Sequence, residues 1–268
     1  AAEIRLPEAL EEKLLCPFHY FGVADPVSLA PDNFWRGGKY DIAELENVYT
    51  GSHALAVLRL EVVVSSLLRF EPDLEHVRGI GFCVSIRHAA FMVEKFNERG
   101  IVSAMLVGET VTAERTVLLN DFRAGKIRFL FSVDVLSEGL DLPDVNTVLF
   151  LRPTQSLTVF LQQLGRGLRH APDKDCLTVL DFIGQSHRRY RIDRKLKALL
   201  AKRRFNIQRE VEMDFPHLPS GCSIQLDRVA REHVIANIRE NLRHLADQVP
   251  DRLETFEHES GQPLTFGN

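Results

Sequence analysis

What most constrains this chain is an alternation, from Arg78 to Gly184, of short unbroken apolar runs with segments of helical periodicity. The runs are 78–84 (RGIGFCV), 101–107 (IVSAMLV), 127–132 (IRFLFS), 147–151 (TVLFL) and 176–183 (CLTVLDFI). A strand that is apolar at nearly every residue must be covered on both faces, the habit of a parallel sheet between helical layers. Between the runs, the spacing predicts a helix over His88–Arg99, with Ala89, Ala90, Val93 and Phe96 on one side and Gly100 as its stop. A second is predicted over Thr112–Ala124, with Thr112 as N-cap, Val117, Leu118 and Phe122 as its stripe, and Gly125 beyond its end. A third, Ser156–His170, is capped by Ser156. Strand–helix alternation on short loops predicts an α/β fold, a doubly wound parallel sheet flanked by helices.

The flanks read differently. Residues 1–77 open with Pro7, Pro17, Pro26 and Pro31, an extended, turn-rich start, followed by a helix from Ser52 to about Leu68. After Gly184 a basic helix is expected to run to about Arg204. A turn-rich stretch with Phe215, Pro216, Pro219 and Gly221 follows. A last helix carries Leu226, Ala230, Val234, Ile238 and Leu242 at i+4 spacing. The expected divisions are therefore 1–77, 78–184 and 185–268, with helical extensions at both ends.

Formal net charge is −4, so any nucleic-acid contact must come from a local patch rather than the global field. Cys16, Cys83, Cys176 and Cys222 lie far apart without a C-x-x-C pair, which argues against a zinc site or disulfide framework and fits free thiols in the cytoplasm. Cys16 and His19 have ligand-like spacing but no answering pair. The most apolar long stretch, His53 to Phe70, is interrupted by Arg59, Glu61 and Arg69, so no membrane contact is expected. The chain begins Ala-Ala-Glu-Ile-Arg and reads as a segment of something longer.

Chemistry concentrates in Gln162-Gln163-Leu164-Gly165-Arg166-Gly167-Leu168-Arg169. Arg166 and Arg169, three apart, fall on one face of a helix. Both stay charged at any working pH, and their planar forks match phosphate oxygens. Gly165 and Gly167 strip bulk from the same turn at a helix-propensity cost of roughly 1 kcal/mol each, which suggests a close approach by backbone or ligand. The plainer reading is a solvated basic helix end that complements the macrodipole. Upstream, Phe131-Ser132-Val133-Asp134 leads through Glu138, Gly139 and Asp141 to Pro143. This polar loop is expected at the carboxyl end of a sheet, where open α/β sheets bind ligands; an ordinary strand connection has the same turn chemistry.

In this order and spacing, the two stretches resemble motifs V and VI of superfamily-two helicases. Gly81-Phe82-Cys83-Val84-Ser85 before a helix resembles motif IV, and Leu106-Val107-Gly108-Glu109, Glu114-Arg115 and 121–126 (DFRAGK) resemble the family's run from IV to V. The likeness covers about residues 78–184 and implies a RecA-like second motor lobe. Gln162, where DEAD-box proteins carry His, is more similar to the branch of excision-repair helicases and type III restriction translocases. The flanks 15–22 (LCPFHYFG) and 218–227 (LPSGCSIQLD) resemble a bacterial helicase family that often joins its motor to a nuclease domain. By that resemblance Arg166 and Arg169 reach the γ-phosphate of ATP, one as an arginine finger, worth roughly 10³–10⁵ in rate or about 4–7 kcal/mol of barrier. Gln162 and Gly165 belong to the same nucleotide site, Gly139 and Asp141 meet the ribose or the arginines, and Ser85 and Ser132 bond the nucleic-acid backbone. The implied track is DNA, with RNA as the alternative.

No G-x-x-x-x-G-K-[ST] occurs: Gly38-Lys39 leads to Tyr40 and Gly125-Lys126 to Ile127. No Asp-Glu dipeptide occurs either. The phosphate cradle and the Mg²⁺ ligands are therefore expected in an N-terminal helicase lobe outside this chain, and the chain alone is expected to be inactive as an ATPase. The basic run, with Arg188 and Arg189 at its head and Tyr190 as a possible base-stacking ring, is foremost a solvated helix face, and secondarily a phosphate track. His170 and His187 are read as surface residues. The rival reading is a non-catalytic nucleic-acid or protein-binding platform. A glycosyl- or methyltransferase would need a glycine-rich cofactor turn that the chain lacks.

Overall fold

In the computed structural model, residues 4–51, 53–133, 142, 144–172, 174–201 and 206–243 are described. In chain order the elements are α1 (Leu6–Glu11), β1 (Phe18–Ala24), a 3₁₀ turn (Asp32–Phe34), β2 (Trp35–Arg36), β3 (Lys39–Tyr40), α2 (Ile42–Glu46), a π-turn (Asn47–Gly51) and α3 (His53–Phe70). Then come β4 (Gly79–Phe82), α4 (Ile86–Asn97), β5 (Ser103–Leu106), α5 (Thr112–Arg123), β6 (Phe129–Ser132), β7 (Thr147–Phe150), α6 (Leu157–Gly167) and β8 (Leu177–Ile183). The last are α7 (Ile192–Lys197), α8 (Ile207–Glu212), β9 (Ser223–Leu226) and α9 (228–243).

All five expected strands form, each trimmed at its ends, and every pairing in the main sheet is parallel. The sheet has seven strands in the order β5-β6-β4-β7-β8-β1-β9. Alternate residues of the strands feed two cores. Ile80, Leu130, Val148 and Val179 face α5, α6 and α9, where Phe122, Phe160, Leu164 and Val234 are buried. Phe129, Phe131, Leu149 and Leu180 face α3 and α4, where Leu60, Leu67, Met92 and Phe96 are buried. This is the two-sided cover that unbroken apolar strands demand.

The sheet runs across the divisions at 77/78 and 184/185: β1 comes from the stretch read as an N-terminal connector and β9 from the stretch read as mainly helical. Phe18↔Leu177 and His19↔Ser223 set their registers. Helix ends follow local chemistry. Ser85 caps α4 by accepting from His88 N at 3.1 Å, and Gly100 stops it at φ 75°. Ser156 caps α6, accepting from Val159 N at 3.3 Å. Thr112 is not a cap; Val111 holds that place without a side-chain bond, and Thr112 is the first helical residue. Ala90 and Val117 are exposed and Met92 and Leu119 join the buried faces, while Ala89, Phe96 and Phe122 keep their expected places.

The long basic helix does not form. Arg188 and Arg189 sit in a turn, α7 spans six residues, and Lys195 is buried against Asp181 instead of facing water. Tyr190 is buried and donates to Thr154 O at 3.2 Å, so it presents no ring to a base. His187 is likewise no surface residue. It is 1% exposed, stacked on Trp35 at 4.6 Å, with Nε2 2.9 Å from Asp32. Among the described residues no single helix is long and apolar enough to cross a membrane.

Candidate functional site

A parallel β–α–β crossover returns the chain to the edge from which it started, so α6 runs antiparallel to the strands. It begins past the carboxyl end of β7 and ends where β8 begins. Contacts of its last turn fix that end at the amino-terminal rim: Leu168 O accepts from Cys16 N, just before β1, at 2.8 Å. Arg166 lies in the last turn of α6 and is half-buried. Arg169 lies two residues past the helix end and is exposed. The pair is thus not carried on one helical face, because the helix stops at Gly167 with Leu168 as its cap, short of His170. Both arginines have polar or electrostatic partners. The exposed Gln162 stands one turn before Arg166, so these two share a helical stripe that ends just before the Arg169 turn.

The two glycines have different reasons. A Cβ on Gly167 would collide with the side chain of Leu177 at the start of β8, so this glycine lets α6 pack on the sheet. Among the described residues, a Cβ on Gly165 would meet nothing within 4 Å. Only Gly165 leaves room for something from outside. Gln163, next to the exposed Gln162, points inward and is 6% exposed.

The turn from Arg166 to Arg169 is held by Lys174, which the sequence did not single out, and by Cys16, which the sequence offered only as a metal ligand. Lys174 Nζ donates to Gly167 O at 2.6 Å and to Arg169 O at 2.8 Å. Cys16 Sγ approaches Gly167 O at 3.7 Å. Burial lowers the Lys174 pKa, opposed by Cys16 and Asp144, and burial raises that of the Cys16 thiol. A lysine just beyond a helix end, able to reach its last carbonyls, is the signal that was available.

The other expected residues collect at the carboxyl rim. Ser132 ends β6 and Ser85 follows the end of β4, its neighbour in the sheet, where Cys83 N donates to Ser132 O at 2.8 Å. Ser85 is half-buried. Ser132 is fully buried, and its Oγ has no hydrogen-bond partner among the described residues. Arg188 and Arg189 follow β8 at the same rim and are exposed; Arg188 lies 3.5 Å from Asp32. Gly139 and Asp141 fall outside the described residues. The described residues hold no cluster of three His, Cys, Asp or Glu side chains that would bind a metal. The arrangement presents two candidate edges: Gln162 and Arg166 beside Gly165 at the amino rim, and hydroxyls with two arginines at the carboxyl rim.

Residues 63–171 match the family model of the helicase conserved C-terminal domain. The chain is 29% identical over 179 residues to IRC3 of Saccharomyces cerevisiae, which its name assigns to the ATP-dependent helicases; the match covers 67% of this chain and 25% of IRC3. It is 27% identical to UvrABC system protein B of Natronomonas pharaonis, over 98% of this chain and 40% of that protein. This chain therefore spans well under half the length of either relative. Among solved structures, the DNA-bound type ISP restriction-modification enzyme LlaBIII aligns with 88% of this chain and 18% of its own, at TM-score 0.50 and 15% identity. The yeast DEAD-box splicing factor Prp28 aligns with 81% of this chain and 36% of its own, also at TM-score 0.50 and 15% identity. At that identity the two structures speak to the fold alone.

Proposed function

We propose that this chain, whose residues 63–171 match the family model of the helicase conserved C-terminal domain, is the second motor lobe of a superfamily-two, ATP-dependent helicase or translocase moving on nucleic acid, DNA in our reading. The observation that carries the proposal is the stripe of Gln162 and Arg166 beside Gly165, above whose Cα none of the described residues stands, at the rim where the Arg169 turn is exposed. A neighbouring lobe, with the phosphate loop and the Mg²⁺ ligands, would present the nucleotide to that stripe. Bound there, ATP would supply the phosphoryl group whose transfer drives opening and closing of the cleft.

Phosphoryl transfer spreads negative charge over the equatorial oxygens, so it needs fixed positive charge more than a covalent catalyst. Arg166 and Arg169 are suited to that task, because a guanidinium does not lose its proton and offers two parallel donors. Gln162, neutral, would report the same phosphate by hydrogen bonding. At the opposite rim, Ser85 and the exposed Arg188 and Arg189 would contact the nucleic-acid backbone. Ser132, buried with a hydroxyl that has no partner among the described residues, is in our reading a donor for that contact. Gly139 and Asp141 would belong to the nucleotide side.

ATP turnover by this chain and by the parent protein that carries it tests the proposal. Negligible turnover is expected from the chain alone, and turnover stimulated by DNA more than by RNA from the parent. Arg166→Ala or Arg169→Ala should lower the parent's rate by about 10³-fold or more. Substantial turnover by the chain alone, surviving both substitutions, would refute it.

A further inference from the structure

The geometry points to Lys174 as a positioning residue for the arginine pair, an inference that rests on the reading of Arg166 and Arg169 given above. Helix α6 ends without the usual left-handed residue: Leu168 has φ −91° and ψ −1°, and neither Gly165 nor Gly167 has positive φ. The intrinsic device that normally closes a helix and satisfies its last carbonyls is therefore missing. Its place is taken from outside. Lys174 Nζ bonds Gly167 O and Arg169 O, and Cys16 N bonds Leu168 O between them. Three consecutive carbonyls are thus held by two groups that do not belong to the helix.

The consequence falls on Arg169. It lies beyond α6, so no intrahelical bond sets the direction of its Cα–Cβ vector. One ammonium that grips the carbonyls on either side of Leu168 fixes the peptide planes there, and with them the angle between the Arg166 and Arg169 side chains. Lys174 is half-buried, and its bond to Gly167 O is partly shielded from water. A transition state stabilised by two guanidinium groups is sensitive to their placement; a displacement of about 1 Å can cost about 10²-fold in rate. Lys174 touches neither nucleotide nor reacting atoms in this scheme. It acts through the turn.

Lys174→Met keeps the stem and removes the donors; Lys174→Arg keeps donors. Hydrogen exchange of segment 165–172 is measured in the chain, with α4 as internal reference. ATP turnover of the parent protein is measured for Lys174→Met, Lys174→Arg and Arg169→Ala. We expect Lys174→Met to speed exchange in 165–172 about tenfold, leaving α4 unchanged, and to lower kcat about 10- to 100-fold with a smaller change in KM. Lys174→Arg should restore much of both. Unchanged exchange in Lys174→Met overturns the proposal. So does faster exchange with kcat within twofold of the natural protein where Arg169→Ala abolishes turnover, since Lys174 would then be only a cap. If Arg169→Ala itself leaves turnover intact, the arginine reading has failed, and the positioning role falls with it.

Discussion

Arg59 Nε meets Asp25 Oδ2 at 2.7 Å with both side chains 3% exposed. The same guanidinium donates to Leu151 O at 2.8 Å and lies 3.9 Å over the ring of Tyr49. One residue of α3 thereby ties the loop after β1 and the end of β7 together at the carboxyl rim. In the sequence Arg59 is only an interruption in an apolar stretch. Removing one partner of a buried pair strands the other charge, so Asp25→Ala should lower unfolding free energy by about 3–5 kcal/mol. Asp25→Leu combined with Arg59→Met should recover a good part of that loss. Urea denaturation of the three variants measures both; a loss under about 1 kcal/mol for Asp25→Ala contradicts the account.

Gly165 and Gly167 should separate stability from activity. Gly167→Ala forces a methyl into Leu177, which is fully buried, and should destabilise by about 1–3 kcal/mol. Gly165→Ala meets open space and should stabilise α6 by about 0.5–1 kcal/mol. In the parent protein the same Gly165→Ala should nevertheless slow ATP turnover, because its methyl occupies the approach to the stripe. A stabilised variant with full turnover would show that the space above Gly165 serves no ligand.

His88 gives the fold an acid sensitivity. Burial, reinforced by Arg59 and Arg152, holds its pKa well below 6.5, so the folded chain keeps it neutral where the unfolded chain protonates it. Stability linked to His88 is therefore intact above the unfolded value of about 6.5 and is lost as pH falls toward the folded value, at up to about 1.4 kcal/mol per pH unit. Unfolding free energies measured at pH 7.5 and 5.5 should fall less in His88→Gln than in the natural protein. Equal losses in the two would assign the acid sensitivity to other groups.

Arg188 and Arg189 test the carboxyl rim. If they meet phosphates, Arg188→Ala and Arg189→Ala should each weaken nucleic-acid binding by the parent protein with little regard to sequence. Each should also reduce the slope of log affinity against log salt by about 1. Both side chains are exposed, so stability should stay within about 0.5 kcal/mol. An unaltered slope would return the two arginines to the role of solvated charges.

The strands of 78–184 were legible because each is apolar at successive residues, a pattern that only two-sided burial explains. Ser156 was legible as a polar residue at a helix start, whereas Ser85 caps a helix that the periodicity places from His88 onward. The same rule misled at Thr112, where the helix begins one residue earlier than its side chain could cap. His187 was misjudged for a different reason. Its burial depends on Trp35 and Asp32, more than 150 residues away in the chain, and no local pattern announces them. The basic run after Gly184 looked like one helix because charges repeat there. Its Lys195 turns inward to Asp181, which also accepts from Tyr20, and lies 4.9 Å from the rings of Phe150 and Phe160.

The sequence by itself determined the parallel core and the residues eligible for phosphate chemistry, since periodicity and side-chain type are local properties. Only the tertiary structure decided that β1 and β9 extend the sheet, because a strand in a proline-rich flank is recruited by the edge it pairs with. It also decided which end of the sheet each cluster occupies. That follows from crossover geometry: α6 carries Arg166 back to the amino rim, while Ser85, Ser132, Arg188 and Arg189 stay where their strands finish.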